Sequence, residues 1–287
     1  MINAQRTSNL QEQFGLSYQI PYALTADSLV GFEGKRVLEI GGSLPRGLVL
    51  DELKASQWIS VEALDYWDEL PPEAEPQSAS EPDRARIVGR LEDAAPVDQL
   101  PEHAVLVGGI EALPRSLHTS FDAIFSIACF EHVQRFPDAL EAAFLALKPG
   151  GVLFSLFAPI WSAHDGHHLP VLFDAMGQKL KFSSSPIPPW GHLTMTPPEL
   201  HQYLLRHTDR ATADRMIYFI FQSPHINRLF AEDYVRYVQA SPFEVLRLEG
   251  VFPSHVPAGT QAVLERLYPR YRYFSNNGML MLLRRPG

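Results

Sequence analysis

Apolar positions along the chain gather into short runs separated by polar, turn-forming stretches. Lys35 to Ile40 (KRVLEI) is a compact apolar run that breaks into Gly41-Gly42-Ser43. After it, Leu48 to Ala55 is a mixed stretch suited to a helix, and Trp58 to Leu64 (WISVEAL) reads as a second strand. This order of strand, glycine turn, helix and strand opens a parallel α/β sheet. Pro71 to Pro101 holds six prolines and little periodicity, which predicts loop with a short strand near Ala85 to Val88. Ala104 to Val107 and Phe121 to Ile127 are the third and fourth strands. Leu140, Phe144 and Leu147 then recur at helical spacing over Asp138 to Leu147. The Lys148-Pro149-Gly150-Gly151 segment predicts the end of that helix. Val152 to Ala158 is a fifth strand, apolar on both faces as a central parallel strand should be.

Regularity then lapses. Thr196-Pro-Pro-Glu199 is a capping box that opens a helix at Leu200, and Ala231 to Gln239 reads as another helix. Phe243 to Val251 and Met279 to Leu283 are late strands, with a helical pattern at Gln261 to Leu267 between them. Four segments follow from this: an N-terminal lid over 1–31, a sheet core over 32–158, a cap over 159–241, and C-terminal strands over 242–287 that complete the sheet.

Composition narrows the function classes. In 287 residues, 46% are hydrophobic, so a sizeable core is within reach. The 24 Lys and Arg against 33 Asp and Glu give a net charge of −9. That balance argues against coating a phosphate backbone or lying on an anionic membrane. Cys129 is the single cysteine, which excludes a disulfide framework and a cysteine-based metal cage. The polar start Met1 to Asn9 lacks the apolar core of a signal peptide, and the apolar run Gly151 to Trp161 is too short to cross a bilayer. The expectation is a cytoplasmic protein acting on a small-molecule substrate, with no nucleic-acid or membrane partner and its oligomeric state open.

Four pieces in register carry a resemblance. They are Val37-Leu38-Glu39-Ile40-Gly41-Gly42; Glu62, 23 residues after Glu39; Val107 to Pro114 just before Phe121-Asp122; and Phe121 to Val133 with Leu147 to Gly151. Together, over about Phe32 to Ala158, they resemble the class I S-adenosylmethionine-dependent methyltransferases, type 11-like, of the small-molecule group. The resemblance implies an α/β fold, a Rossmann-like class I methyltransferase sheet with a long insertion (cap) after the fifth strand. It implies S-adenosylmethionine as cofactor, S-adenosylhomocysteine as product, and methyl transfer to an O, N or C atom of a small organic substrate, in natural-product or saccharide biosynthesis. By the same resemblance Glu39 serves the methionine ammonium, and Gly41, Gly42 and Ser43 serve the cofactor chain. Glu62 with Ala63 would hold the ribose hydroxyls, Ile110 with Glu111 the adenine, and Ser126, Ile127 and Ala128 would flank the methionine end. The physics agrees: a glycine turn lets backbone approach a ligand at the carboxyl edge of the sheet, and a carboxylate at the next strand end accepts from two adjacent hydroxyls.

The chain departs from the family pattern where its second and third loop glycines fall on Ser43 and Pro45, and where its adenine-side aspartate falls on Gly109. Proline fixes φ and removes a donor, so the loop should take another path with Gly47 supplying flexibility. These departures keep a second reading open, a catalytically degenerate binding or scaffold protein. A dinucleotide oxidoreductase would need G-x-G-x-x-G, which Gly41 to Arg46 does not supply.

Six of eleven histidines fall between His164 and His207, directly after the fifth strand. His164 or His167 is a candidate general base, since histidine titrates near neutrality. Alternatively these histidines cap backbone and shape the pocket. A divalent ion on them with Asp165 has no regular ligand spacing to support it, and no metal site is assigned. Trp161, His168, Trp190 and His192 are the candidate substrate contacts. His132, after Glu131, reads as a packing residue, and Tyr18 and Tyr22 as part of the N-terminal lid.

Overall fold

The computed structural model describes residues 4–42, 44–63 and 86–287; Ser43, Leu64, Ala85 and the proline-rich stretch before Arg86 lie outside them. Eight strands form one sheet in the order β3-β4-β2-β1-β5-β6-β10-β9. They are β1 (Arg36–Ile40), β2 (Gln57–Glu62), β3 (Ile87–Arg90), β4 (His103–Val107), β5 (Phe121–Ile127), β6 (Leu147–Phe157), β9 (Glu244–Pro253) and β10 (Asn276–Arg284). Strand β1 lies parallel between β2 and β5, with Leu38 opposite Ile59 on one side and Ile124 on the other. Strand β10 runs antiparallel between β6 and β9. The rest of the chain supplies a two-residue hairpin pair, β7 (Leu172–Phe173) and β8 (Lys179–Leu180). The expected Rossmann-like sheet is present, and its expected fifth strand is sixth in chain order because Ile87–Arg90 adds an edge strand.

Strand alternation divides the core. Leu38 and Ile40 face one side, where Phe136, Leu140 and Ala143 of α3 (Phe136–Ala146) and Tyr234 and Val238 of α7 (Ala231–Ala240) cover them. Val37 faces the other side with Trp58, Phe125 and Phe154, under α1 (Ala4–Phe14) and α2 (Gln19–Val30). On that face Phe32 meets Trp58 edge-on at 5.3 Å, and Phe125 stacks on Phe154 at 6.2 Å. The N-terminal segment therefore roofs a sheet face, with Tyr22 stacked on Phe252 at the sheet edge.

A third cluster fills the cap: Trp161, Leu169, Trp190, Leu200 of α5 (Pro197–Leu204), and Met216 and Ile220 of α6 (Arg210–Phe221). A short helix α4 (Gly191–Thr194) precedes α5. Leu264 of α8 (Ala258–Leu267) and Phe274 join this cluster, so the cap's core draws on chain beyond 241, whereas α7 packs on the sheet. Thr196 and Glu199 form the expected capping box. No helix among the described residues is long and apolar enough to cross a membrane.

Two local expectations are corrected. The stretch after β1 forms a π-helical turn, Gly47–Glu52, instead of a helix reaching Ala55. Helix α3 ends at Ala146, within one residue of the end expected before Lys148-Pro149-Gly150-Gly151, but that segment is not a loop. It belongs to the start of β6, which begins at Leu147 and not at Val152. Pairing jumps from Phe121↔Leu147 to Ala123↔Val152, so the four residues bulge out of register. Gly150 takes φ +81 and donates to the Arg285 carbonyl at 2.8 Å, while Lys148 Nζ reaches Asp122 Oδ1 at 2.7 Å. The breaker ends the helix, and tertiary partners at both ends carry the segment into the strand.

Candidate functional site at the sheet edge

The carboxyl ends of β1, β2, β4 and β5 meet at one edge, and loop geometry there follows from a few fixed contacts. Gly41 leaves β1 at φ +74, a region open to glycine, and its N–H donates to the Val61 carbonyl at 2.9 Å. A Cβ at Gly41 would lie 2.1 Å from Cys129 Sγ, so the cysteine occupies the space the missing side chain leaves. Ser126 Oγ donates to the Ile40 carbonyl at 3.0 Å and locks β5 to β1 at the same height. Ile127 is buried, and Ala128 follows in the left-handed region at φ +46, its N–H bonded to the Leu156 carbonyl.

Glu39 is buried on the aromatic face, where its carboxylate accepts from Trp58 Nε1 at 2.6 Å, Ser60 Oγ at 2.9 Å and the Leu44 N–H at 3.0 Å. Burial raises its pKa, opposed by these bonds. A Cβ at Gly42 would meet Glu39 Oε1 at 2.4 Å. In this structure Glu39 thus ties the loop after β1 to β2, whereas the resemblance gave it the methionine ammonium. The Leu44 carbonyl in turn receives Arg86 at 3.2 Å and faces His103 at 3.0 Å, which sets the loop's path around Pro45. Among the described loop residues the left-handed turn is at Gly41, and Gly47 adopts an ordinary backbone against Phe14. Ser43 lies outside the described residues.

Glu62 ends β2 as a buried residue, with Ala63 exposed beyond it. The turn Ile110–Ala112 follows β4, with Ile110 buried; a Cβ at Gly109 would meet Glu111 Oε2 at 2.6 Å. The carboxylate of Glu111 therefore occupies the place that a residue-109 side chain would take.

Cys129 sits amid negative charge. Burial first, then Glu131, Glu62 and Glu111, push its thiol well above the ordinary range. Sequence reasoning left Cys129 and Glu131 out of the site; the signal was present in Phe130-Glu131-His132, directly after β5. Glu131 is fully buried, and neither carboxylate oxygen has a hydrogen-bond partner. Burial pushes its pKa up to about 8. Tyr18, between α1 and α2, also faces this acid: burial, then the Glu131 charge, push its hydroxyl up to about 12.

The predicted histidines separate. His167 is 1% exposed, and its Nδ1 accepts from the Leu169 N–H at 3.2 Å, the backbone-capping geometry. His192 hydrogen-bonds through Nε2 to the Trp161 carbonyl at 2.8 Å and packs on the Trp161 ring at 4.6 Å. Burial lowers its pKa to about 4. Trp190 donates to the Ser162 and Phe274 carbonyls. The expected substrate contacts Trp161, Trp190 and His192 are thus buried inside the cap, Trp190 and the Nε2 of His192 on backbone carbonyls and the Nδ1 of His192 without a partner. His164 keeps about a third of its side chain exposed, with Nδ1 3.1 Å from Asn277 Oδ1 and 3.7 Å from Asp165 Oδ1. His168 joins His132 instead, the rings meeting edge-on at 4.5 Å.

A methyltransferase-domain family model matches residues 19–248. No curated protein matches in sequence. Among solved structures, the chain is similar to an S-adenosylmethionine-dependent methyltransferase from Mesorhizobium loti (16% identity, 94% of this chain, 98% of that one, TM-score 0.46). It is also similar to an S-adenosylmethionine-dependent methyltransferase from Archaeoglobus fulgidus (12% identity, 96% and 97%, TM-score 0.44). A third is a phospholethanolamine N-methyltransferase 2 from Haemonchus contortus, solved with S-adenosylhomocysteine (12%, 94% and 54%, TM-score 0.46).

Proposed function

Because this chain belongs to the methyltransferase-domain family, whose cofactor is S-adenosylmethionine, we propose that it is an active enzyme that methylates an O, N or C atom of a small organic substrate, in natural-product or saccharide biosynthesis. One observation carries the reading. Glu62, Glu111 and Glu131 surround Cys129 directly over the left-handed Gly41, at the carboxyl edge of the parallel strands. The donor set fits the cofactor: ribose hydroxyls, an ammonium and a sulfonium all call for acceptors or negative charge. When bound, S-adenosylmethionine supplies an electrophilic methyl group on a sulfonium.

Glu62 and Ala63 would hold the ribose and Ile110 with Glu111 the adenine, the acid of Glu111 standing in at Gly109. Gly41 and Gly42 would give close backbone approach, with Ser43 continuing the loop, and Ile127 and Ala128 would line the methionine end. Glu39 supports this indirectly by bracing the loop. His164, partly exposed beside Asp165, is the better placed of the two candidate bases; His167 would support it from within the cap. A positioned base adds about 10² to 10⁴-fold when the accepting atom carries a proton. The cap, held by His168, Trp161, Trp190 and His192, would exclude water and limit the substrate to a small molecule.

Calorimetry with S-adenosylmethionine and S-adenosylhomocysteine, with NADH as control, tests the reading. Micromolar binding of a sulfur cofactor is expected, and Glu62→Ala should weaken it at least tenfold without loss of fold. Silence with both cofactors would favour the scaffold reading, in which Cys129 seated over Gly41 closes the cleft; unchanged affinity in Glu62→Ala would sink the ribose assignment.

A further inference from the structure

Glu131 and His132 leave the end of β5, and His168 approaches from the start of the cap. One carboxylate oxygen and one ring nitrogen from each histidine all lie within 4.8 Å of one another. An ion bound at about 2.0–2.2 Å needs donors roughly 3–4 Å apart, so small side-chain adjustments close the set. Both rings have a backbone carbonyl at Nδ1. His132 Nδ1 hydrogen-bonds to the His225 carbonyl, and His168 Nδ1 faces the Pro159 carbonyl at 3.4 Å. Since a carbonyl only accepts, each Nδ1 carries the proton and each Nε2 the lone pair; this is the outer arrangement that orients metal-bound histidines. His225 braces the second ring in turn, its Nε2 donating to the His168 carbonyl at 2.8 Å.

A separate observation points to a cation. Glu131 is completely buried and both its oxygens lack a hydrogen-bond partner. A buried carboxyl group with neither oxygen hydrogen-bonded is costly, and a coordinated ion removes the cost. Adjacent residues at the end of β5 supply the carboxylate and one ring, and the cap supplies the second ring, whereas His164, His167 and Asp165 do not form this set.

We propose that Glu131, His132 and His168 bind a divalent first-row transition-metal ion. Two imidazoles and one carboxylate suit Zn²⁺, Mn²⁺, Fe²⁺ or Co²⁺, and three protein ligands leave positions for water or for an oxygen of a small molecule. Where that oxygen belongs to the methyl acceptor, the role rests on the function proposed above; binding of the ion itself does not.

The test uses the full chain, prepared without an oligohistidine tag and stripped with chelator. It is titrated with Co²⁺ in the absence of any sulfur cofactor, followed by visible absorption. One equivalent should bind with ligand-field bands and raise the melting temperature. Glu131→Gln and His168→Asn should each weaken Co²⁺ binding at least tenfold, whereas His201→Asn, at a surface histidine paired with Asp214, should leave it unchanged. Asparagine suits the φ of +46 at residue 168, so that variant decides the matter if Glu131→Gln does not fold. Absence of stoichiometric binding, or equal binding in wild type and His168→Asn, overturns the proposal. S-adenosylhomocysteine calorimetry reports separately on the cofactor reading.

Discussion

Gly41 answers two demands at one backbone position, a φ of +74 and a neighbour, Cys129 Sγ, where its Cβ would be. Gly41→Ala should therefore cost roughly 1–2 kcal/mol in backbone strain alone, with a further loss from displacing the cysteine, and should abolish measurable cofactor binding. Pairing it with Cys129→Gly separates the two. Thermal unfolding of the double variant should recover the contact part and leave the backbone part, a coupling expected of touching residues. An additive result would mean that the sulfur yields freely. At this scale much of the site was readable in sequence. Glu39, Gly41 and Glu62 stand where the strand-turn-strand pattern put them. The direction of a side chain was not readable: Glu39 points into the Trp58 face because β alternation places it with Val37. Nor does spacing along the chain reveal that His168 returns to His132.

The elements were legible where an apolar run filled a strand. Phe121–Ile127 is as expected to the residue, and α7 differs by one position. Boundaries failed where distant partners outvoted local signals, as at Lys148 to Gly151, whose bulge is held by Arg285 and Asp122. Helix α6 illustrates a cap that reaches across elements. Asp209 accepts from the Thr212 N–H and Oγ1 and from the Ala175 N–H in the β7–β8 turn. These bonds, that of Ala175 foremost, lower its pKa to about 2. Its stabilisation is thus complete above the unfolded carboxyl value near 3.9 and is lost as pH falls through about 2. Asp209→Ala should lower the melting temperature by a few degrees at pH 7. The difference from wild type should shrink steadily below pH 4; a gap that persists at pH 2 would show that the charge is not what matters.

For the whole molecule, the buried histidine at 192 contributes to the response to acid, beside His132, His167 and His168, whose pKa values burial lowers as well. Its folded pKa of about 4 lies below the unfolded value near 6.5, so between these values the unfolded chain binds a proton that the folded chain refuses. His192 by itself therefore contributes stability that rises with pH through that window and is lost on acidification, by about 3 kcal/mol once pH 4 is reached. His132, lowered to about 3, acts in the same sense, and Glu131, raised to about 8, in the opposite one. Denaturant midpoints measured from pH 7 to pH 4 in wild type and His192→Asn isolate this contribution: wild type should lose more stability over that range than the variant, and parallel curves would remove His192 as a source. The sheet order has a temporal consequence as well. Strand β9 is made before β10, yet β10 lies between it and β6. Until β10 is available, β9 has no partner in the sheet and β6 presents a bare edge. The covering α7 meets an unfinished face, since Met279, Met281 and Leu283 complete its hydrophobic cluster. Such long-range pairing makes folding slow, and during synthesis the most exposed species is a chain grown past β9 and waiting for the strand that ties β9 to β6.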